Sequence, residues 1–395
     1  MAGPQNRQGN RQARRLDGIP TTIFSTMSAL AVRTGSVNLG QGFPDVDGPP
    51  GVVEAAVGAL RAGQNQYAPG IGTPDLRAAI AAHQRRHYGL DLDPDREVVV
   101  TTGATEGIAA ALLGLVDPGD EVVVLEPYYD SYVAMIAFAG GVRRPVTLRA
   151  PGFRLDPDEL RAAVTDRTRL LLVNTPHNPT GTVLGRAELQ AIADLAVARD
   201  LVVVTDEVYE HLVFDDHEHV PLATLPGMAE RTLTLSSAGK MFSFTGWKIG
   251  WATGPAGLVG ALLGAKQWLS FSSGTPFQAA VAHALEHEAG FYDELTASLQ
   301  KRRDLLCAGL AELDVDVRVP EGTYFATTDV RRLGWEDGMA FCLALPERAG
   351  VVAIPAQAFY DDLDEGRHLV RWAFCKEPDV IEEGLRRLQA ADLRA

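Results

Sequence analysis

The chain has 395 residues, 46% of them hydrophobic, and a formal net charge of −15. That length exceeds one ordinary core and implies about two domains, with ample apolar material to fill them. The negative charge repels phosphate-rich nucleic acid and anionic lipid, so neither a nucleic acid nor a membrane is expected as a partner.

The opening stretch "MAGPQNRQGNRQARRLDG" lacks the apolar core of a secretory signal, and no apolar run approaches the roughly 20 residues of a membrane helix. A cytoplasmic location is the default. The arginines of this stretch suit a frayed polar tail, though a nucleic-acid arm or a transit peptide shares the composition. From residue 97, "EVVVTTGATEGIAAALLGLV" predicts a strand, a glycine-containing turn and a helix. After "DPGD" come the strand "EVVVLEP" and the helical "YYDSYVAMIAFAGG", closed by glycine. The alternation continues through "TRLLLVNTP", a helix at "GRAELQAIADLAVARD", then "LVVVTDEVY", "RTLTLSS" and "KIGWATGP". These strands are apolar on both faces, which predicts a mostly parallel α/β sheet with helices on both sides. Past about residue 290 a long charged helix, "FYDELTASLQKRRDLLCAGLAEL", precedes alternating strands and a last helix, "PDVIEEGLRRLQAADL". We expect residues 48–289 to form a large unit and 290–395 a smaller α+β unit, with residues 1–47, tail and arm, joining the smaller one. The three cysteines, Cys307, Cys342 and Cys375, are widely spaced without metal-ligand intervals. They are read as reduced core residues, and no metal site is expected.

Polar residues cluster where strands end, the place where open α/β sheets bind ligands. In "TTGATEG" the amides of Ala104 and Thr105 open a helix and suit an anion, although an ordinary strand-to-helix turn has the same composition. In "NTPHNPTG", Asn178 can direct its amide donor into a cleft or simply serve an Asn-Pro turn, and His177 is read as a neighbour. In "VVVTDEVYEHLVF" a very apolar strand runs into Asp206. A carboxylate there needs a cationic partner unless it merely caps the next helix, and Tyr209 follows three residues on. In "SSAGKMFSFTGWKIGW", Ser237, Lys240 and Lys248 surround an aromatic turn. A lysine in apolar surroundings loses proton affinity and becomes a nucleophilic amine, whereas a second lysine can act as a point charge for an anion. The segment lacks the hydroxyl residue of a Walker loop, and "GPAGLVGALLGA" has the wrong glycine spacing for a dinucleotide fingerprint.

Taken in order with "VNLGQGFPD", "NQYAPGIG" and "HLVRWAFCK", these segments resemble the class I, fold-type I pyridoxal-phosphate-dependent aminotransferases from about residue 24 onward. The texture is that of the kynurenine/glutamine and methionine branch, nearest the actinobacterial N-succinyldiaminopimelate aminotransferases. The resemblance implies a seven-stranded, mostly parallel sheet forming the cofactor domain, a smaller α+β domain, and a homodimer with shared sites. It implies pyridoxal 5'-phosphate as cofactor, with Lys240 as the Schiff-base lysine and Asp206 beside the pyridine nitrogen. Asn178 and Tyr209 would donate to the ring oxygen, and Tyr129 would stack on the ring. The phosphate would be held by Ala104, Thr105, Ser237 and Lys248, where many relatives have arginine, and Tyr67 would be contributed to the cofactor site across the dimer interface. Arg371 would grip the substrate carboxylate, with Gly42, Asn178, Tyr132 and Phe24 also facing substrate. From the residues themselves, Phe24, Tyr132, Phe271 and Tyr324 are candidates for the side-chain pocket, although aromatics at these spacings suit the core equally well. The implied reaction is transamination between an L-amino acid and a 2-oxo acid such as 2-oxoglutarate, with N-succinyl-L,L-diaminopimelate as one donor. A broader kynurenine/glutamine/methionine-type enzyme with cysteine-conjugate β-lyase activity is the alternative. A ligand-sensing regulator of this fold would need an appended DNA-binding domain, for which residues 1–23 are too short.

Overall fold

The computed structural model describes residues 13–395 apart from residues 18 and 20. Most of the arginine-rich opening stretch therefore lies outside the described residues. The first helix, Ile23–Thr34, is capped by the Thr22 hydroxyl, which accepts from the Phe24 N–H, and is stopped by Gly35 in the left-handed region at φ 61°. Strand β1 (Val37–Asn38) follows, and then the helices Pro50–Arg61 and Pro74–Tyr88, each with proline in its first turn.

The large sheet is built from β2 (Val98–Thr101), β3 (Glu121–Glu126), β4 (Val142–Thr147), β5 (Thr168–Asn174), β6 (Val202–Asp206), β7 (Thr232–Ser237) and β8 (Gly250–Thr253). Its spatial order is β2-β8-β7-β6-β5-β3-β4. All neighbouring pairs from β7 to β4 are parallel, while β8 runs antiparallel to both β7 and β2. The sheet is thus mostly parallel, as the apolar runs predict. Alternation places successive side chains in different cores. Val122, Val124, Leu170, Leu172 and Val204 pack with the helices Gly103–Leu115, Asp130–Ala139 and Ala256–Lys266. Val123, Leu125, Leu171, Val173 and Val203 face the opposite way, toward the helix Arg186–Ala198 and the C-terminal elements.

Strand β4, which the sequence pattern does not disclose, occupies the edge. Its arginines find acids outside the apolar core: Arg143 pairs with Asp361 at 2.6 Å and Arg144 with Glu121 at 2.6 Å.

The 22-residue helix Gly290–Ala311 leads into the C-terminal part. There β9 (Asp316–Arg318), β10 (Phe325–Asp329), β11 (Val351–Val352), β12 (Ile354–Pro355) and β13 (Leu369–Ala373) follow. Four of them form an antiparallel sheet in the order β12-β13-β10-β9. β11 instead pairs in parallel with β1, which ties the N-terminal segment to the C-terminal one. Among the described residues, no helix is long and apolar enough to cross a membrane.

Glu121 opens β3 fully buried. It accepts from Arg144 at 2.6 Å, Arg167 at 2.5 Å and Thr165 at 2.6 Å, and these bonds, Arg144 first, lower its carboxyl from 4.5 to about 2. A lowered folded pKa means the contribution is present at neutral pH and is lost as pH falls from about 4.5 toward 2. Glu121→Gln should therefore lower the unfolding midpoint at pH 7. It should also flatten its fall between about pH 5 and 3; a parallel acid dependence in both proteins would refute this.

Candidate active site

The parallel strands end on one side of the sheet, and a cavity of about 720 Å³ opens there. Its walls come from the ends of β5, β6 and β7, the start of helix Gly103–Leu115, the turn before β8, the loop after β1, helix Ile23–Thr34 and β13.

At one end lies an anion cradle. Gly103 opens its helix at φ 71°, and a Cβ there would meet the Lys248 Nζ at 3.1 Å. Lys248, itself at φ 55°, sets its ammonium beside a helix N-terminus whose first N–H groups have no acceptor within the helix. Gly250 permits the close approach, since a Cβ at that position would stand 2.7 Å from the Gly103 carbonyl carbon. Ala104, Thr105 and Ser237 also line this region. Two positive groups brought this close need an anion between them, and a phosphate fits.

Asp206 ends β6 almost wholly buried. Its Oδ2 accepts from the Tyr132 hydroxyl at 2.6 Å, and its Oδ1 accepts from the Val208 N–H at 3.4 Å. Burial nevertheless raises its pKa. Among the described residues, no lysine, arginine or histidine lies within ion-pair distance of it. A desolvated carboxylate facing a cavity in this way calls for a cationic guest.

Lys240 sits on the short helix Ala238–Met241, which begins at the end of β7. Its Nζ donates to the Tyr324 hydroxyl at 2.6 Å, which in turn donates to the Gly42 carbonyl at 2.9 Å. Burial lowers its pKa to about 8, so a useful fraction of neutral amine exists near neutral pH. Gly42 is required by its neighbours as well as by the cavity, since a Cβ there would meet the Phe325 ring at 2.7 Å and the Tyr324 ring at 2.9 Å.

Arg371, on β13, is 1% exposed. Its Nη1 donates to the Asn178 Oδ1 at 3.1 Å and its Nη2 to the Gly40 carbonyl at 2.9 Å, whereas its buried Nε has no partner. The guanidinium lies 3.9 Å from the Phe325 ring centroid and 4.9 Å from that of Phe24. Burial lowers its pKa to about 10, which leaves it charged at neutral pH. A buried fork with an unmet donor suits a carboxylate.

The structure thus brings Lys240, Asp206, Tyr209, Asn178, Tyr129, Ala104, Thr105, Ser237, Lys248, Gly42, Phe24 and Arg371 to one cavity. Other expected residues stand elsewhere. Tyr132 does not line the cavity, because its hydroxyl is spent on Asp206 from behind; it supports the carboxylate where a substrate contact was expected. Tyr324 lies beneath Lys240. Tyr67 is 85% exposed and packs edge-on against Phe271 at 5.7 Å, outside the cavity. His177 is buried against the Thr180 hydroxyl at 2.8 Å. Missing from the sequence reading are Phe325, Phe43, Gln41, Ser25, Ser28 and Asn174, all of which line the cavity. Asn174 holds the floor: its Oδ1 accepts from the Asn178 N–H at 2.7 Å and its Nδ2 donates to the Asp206 carbonyl at 2.7 Å. Its place at the end of a strand was the available signal.

A nucleophilic amine, a carboxylate awaiting a cation and a phosphate cradle, set at the strand ends of an α/β sheet, define a pyridoxal-phosphate enzyme of fold type I. The chain belongs to the aminotransferase class I and II family, whose family model matches residues 34–388. It is 56% identical over 384 residues to the probable N-succinyldiaminopimelate aminotransferase of Mycobacterium tuberculosis, covering 95% of this chain and 97% of that one. Identity to the methionine aminotransferase of Escherichia coli is 39% over 375 residues, again covering 95% and 97%. The solved structure of N-succinyldiaminopimelate aminotransferase from M. tuberculosis superposes with a TM-score of 0.94 at 57% identity, covering 96% of this chain and 99% of that one. The chain is therefore a pyridoxal-phosphate-dependent aminotransferase, and its buried unpaired carboxylate and anion cradle fit that cofactor.

Tyr132→Phe removes the strongest donor to Asp206 and should raise that carboxyl further. Cofactor affinity, measured by fluorescence titration of the apoenzyme, should fall about 10-fold or more at neutral pH. An unchanged dissociation constant would show that Tyr132 only packs.

Proposed function

We propose that the enzyme transfers the amino group of an L-amino acid to a 2-oxo acid, with N-succinyl-L,L-diaminopimelate and glutamate as the amino-bearing partners. The observation that carries this reading is Arg371. A buried guanidinium with an unmet Nε shares one cavity with the Lys240 amine, so a substrate's α-carboxylate and its Cα are served together. Bound here, pyridoxal phosphate supplies an aldehyde to hold the substrate nitrogen and a ring that accepts electron density from Cα.

The protein's share of the work follows from its side chains. Ala104, Thr105, Ser237 and Lys248 would hold the phosphate, Asp206 would keep the ring nitrogen protonated, and Tyr129 would cover a ring face. The Asn178 Oδ1 is committed to Arg371, which leaves its Nδ2, with the Tyr209 hydroxyl, to donate to the ring oxygen. Burial lowers the Lys240 Nζ to about 8, so as a neutral amine it would take the Cα proton and give it back in the second half of the transfer. The Tyr324 hydroxyl holds that amine in place between transfers.

Substrate choice rests on the wall opposite the lysine. Phe24, Phe43 and Phe325 supply apolar surface, while Ser25, Ser28 and Gln41 add neutral hydrogen-bonding groups. Such groups suit the amide and distal carboxylate of an acylated side chain better than a purely aromatic wall would. The likeness to the mycobacterial protein over nearly the whole chain supports the same substrate. We also infer a cytoplasmic homodimer. Tyr67 and Phe271 pack together on the surface with both rings exposed, and from there Tyr67 would reach the partner's phosphate.

Single-turnover absorbance of the holoenzyme tests the substrate reading. N-succinyl-L,L-diaminopimelate should convert the cofactor to its aminated form faster than kynurenine, glutamine or methionine. Preference for the aromatic or sulfur substrates would overturn it. Lys240→Ala should bind cofactor yet lose turnover by at least about a thousandfold. In sedimentation equilibrium the holoenzyme should show twice the 42.4 kDa chain mass; a monomer at working concentration would remove the shared-site model.

A further inference from the structure

Three histidines lie together away from the cavity. His83 and His87 stand one turn apart on helix Pro74–Tyr88, and His211 follows β6 two residues beyond Tyr209. Their ring centroids are 4.6, 4.9 and 5.1 Å apart, and one ring nitrogen from each lies within 4.8 Å of the other two. The Nε2 atoms of His83 and His211 are 2.8 Å apart. A hydrogen bond explains that pair but gives no reason for a third imidazole within reach.

We propose that His83, His87 and His211 form a three-imidazole site for a divalent ion of the zinc class, tying helix Pro74–Tyr88 to the segment that carries Asp206 and Tyr209. Two imidazole ligands at 2.0–2.1 Å from a tetrahedral ion stand about 3.3 Å apart, so the buried pair needs to open by only about half an ångström. His83 is fully buried and His211 half-buried, while His87 is exposed and free to swing onto the ion, which also leaves an entry path. The surroundings suit a cation. Tyr292 stacks on His211 at 4.0 Å and 6°, fixing its ring. The buried hydroxyl of Tyr292 has no hydrogen-bond partner. The charge of the buried Glu210 acts on both Tyr88 and Tyr292. Arg86, Asp293 and His219 are the other titratable groups that face the cluster, and Arg86 and Asp293 oppose one another. Imidazole donors without thiolate favour zinc, nickel or copper over calcium or magnesium. The site is independent of which amino acid the enzyme accepts.

The test uses tag-free, cofactor-loaded enzyme freed of metal by a chelator. Zn²⁺ titrated against a chromophoric chelator should bind at one ion per chain with a dissociation constant at or below about 1 μM. It should also raise the unfolding midpoint by about 2 °C or more. Co²⁺ should give the visible absorption of a tetrahedral site. His87→Ala, a change at an exposed position, should weaken binding at least about 10-fold and abolish the cobalt spectrum while leaving metal-free transamination unchanged. His287→Ala, in the two-membered pair His283 and His287, should change neither. Absence of tight binding in the parent enzyme, or binding that His87→Ala leaves intact, would overturn the site.

Discussion

The constraint on which the site depends is the burial of charge at strand ends. Asp206, Lys240 and Arg371 are each withdrawn from water, and none has a neutralising ion partner among the described residues. Desolvating one such group costs several kcal/mol. That cost is met in part by the packing of β5, β6 and β7 between two apolar cores. It is offset further by hydrogen bonds with neutral partners, from Tyr132 to Asp206, from Lys240 to Tyr324 and from Arg371 to Asn178. The three groups are held in a state that a cofactor and a carboxylate substrate would complete.

Two distant parts of the chain must meet for this to happen. Lys240 comes from the large sheet, yet its amine bonds to Tyr324, next to the start of β10, which in turn bonds to Gly42 in the loop after β1. Arg371 comes from β13 and bonds to Asn178 after β5 and to Gly40. The same few hydrogen bonds therefore close the cavity and align amine with guanidinium. The glycine at 42 is dictated by two aromatic rings crossing at that seam.

Much of the fold is legible in the sequence because buried parallel strands have to be apolar on both faces. β4 escaped that logic: an edge strand is solvated along one side, so "VRRPVT" carries arginines. The helices Pro50–Arg61 and Pro74–Tyr88 went unread for a different reason, since both lie before the first strong strand signal, and the second carries a polar face. In the site, Lys240, Asp206 and Arg371 stand out as charges embedded in apolar segments. Phe325 and Asn174 carry no such contrast and are found only once the chain has folded around them.

The sequence by itself determined which groups are charged, which segments must be buried and where strands give way to helices, because those follow from local composition and periodicity. Only the tertiary structure decided that the Tyr132 hydroxyl serves Asp206 and that the Asn178 carbonyl is taken by Arg371. It alone leaves Tyr67 on the surface and brings His211 onto His83. Each of these is a direction in space set by packing between segments far apart in the chain, and no spacing along one segment encodes it.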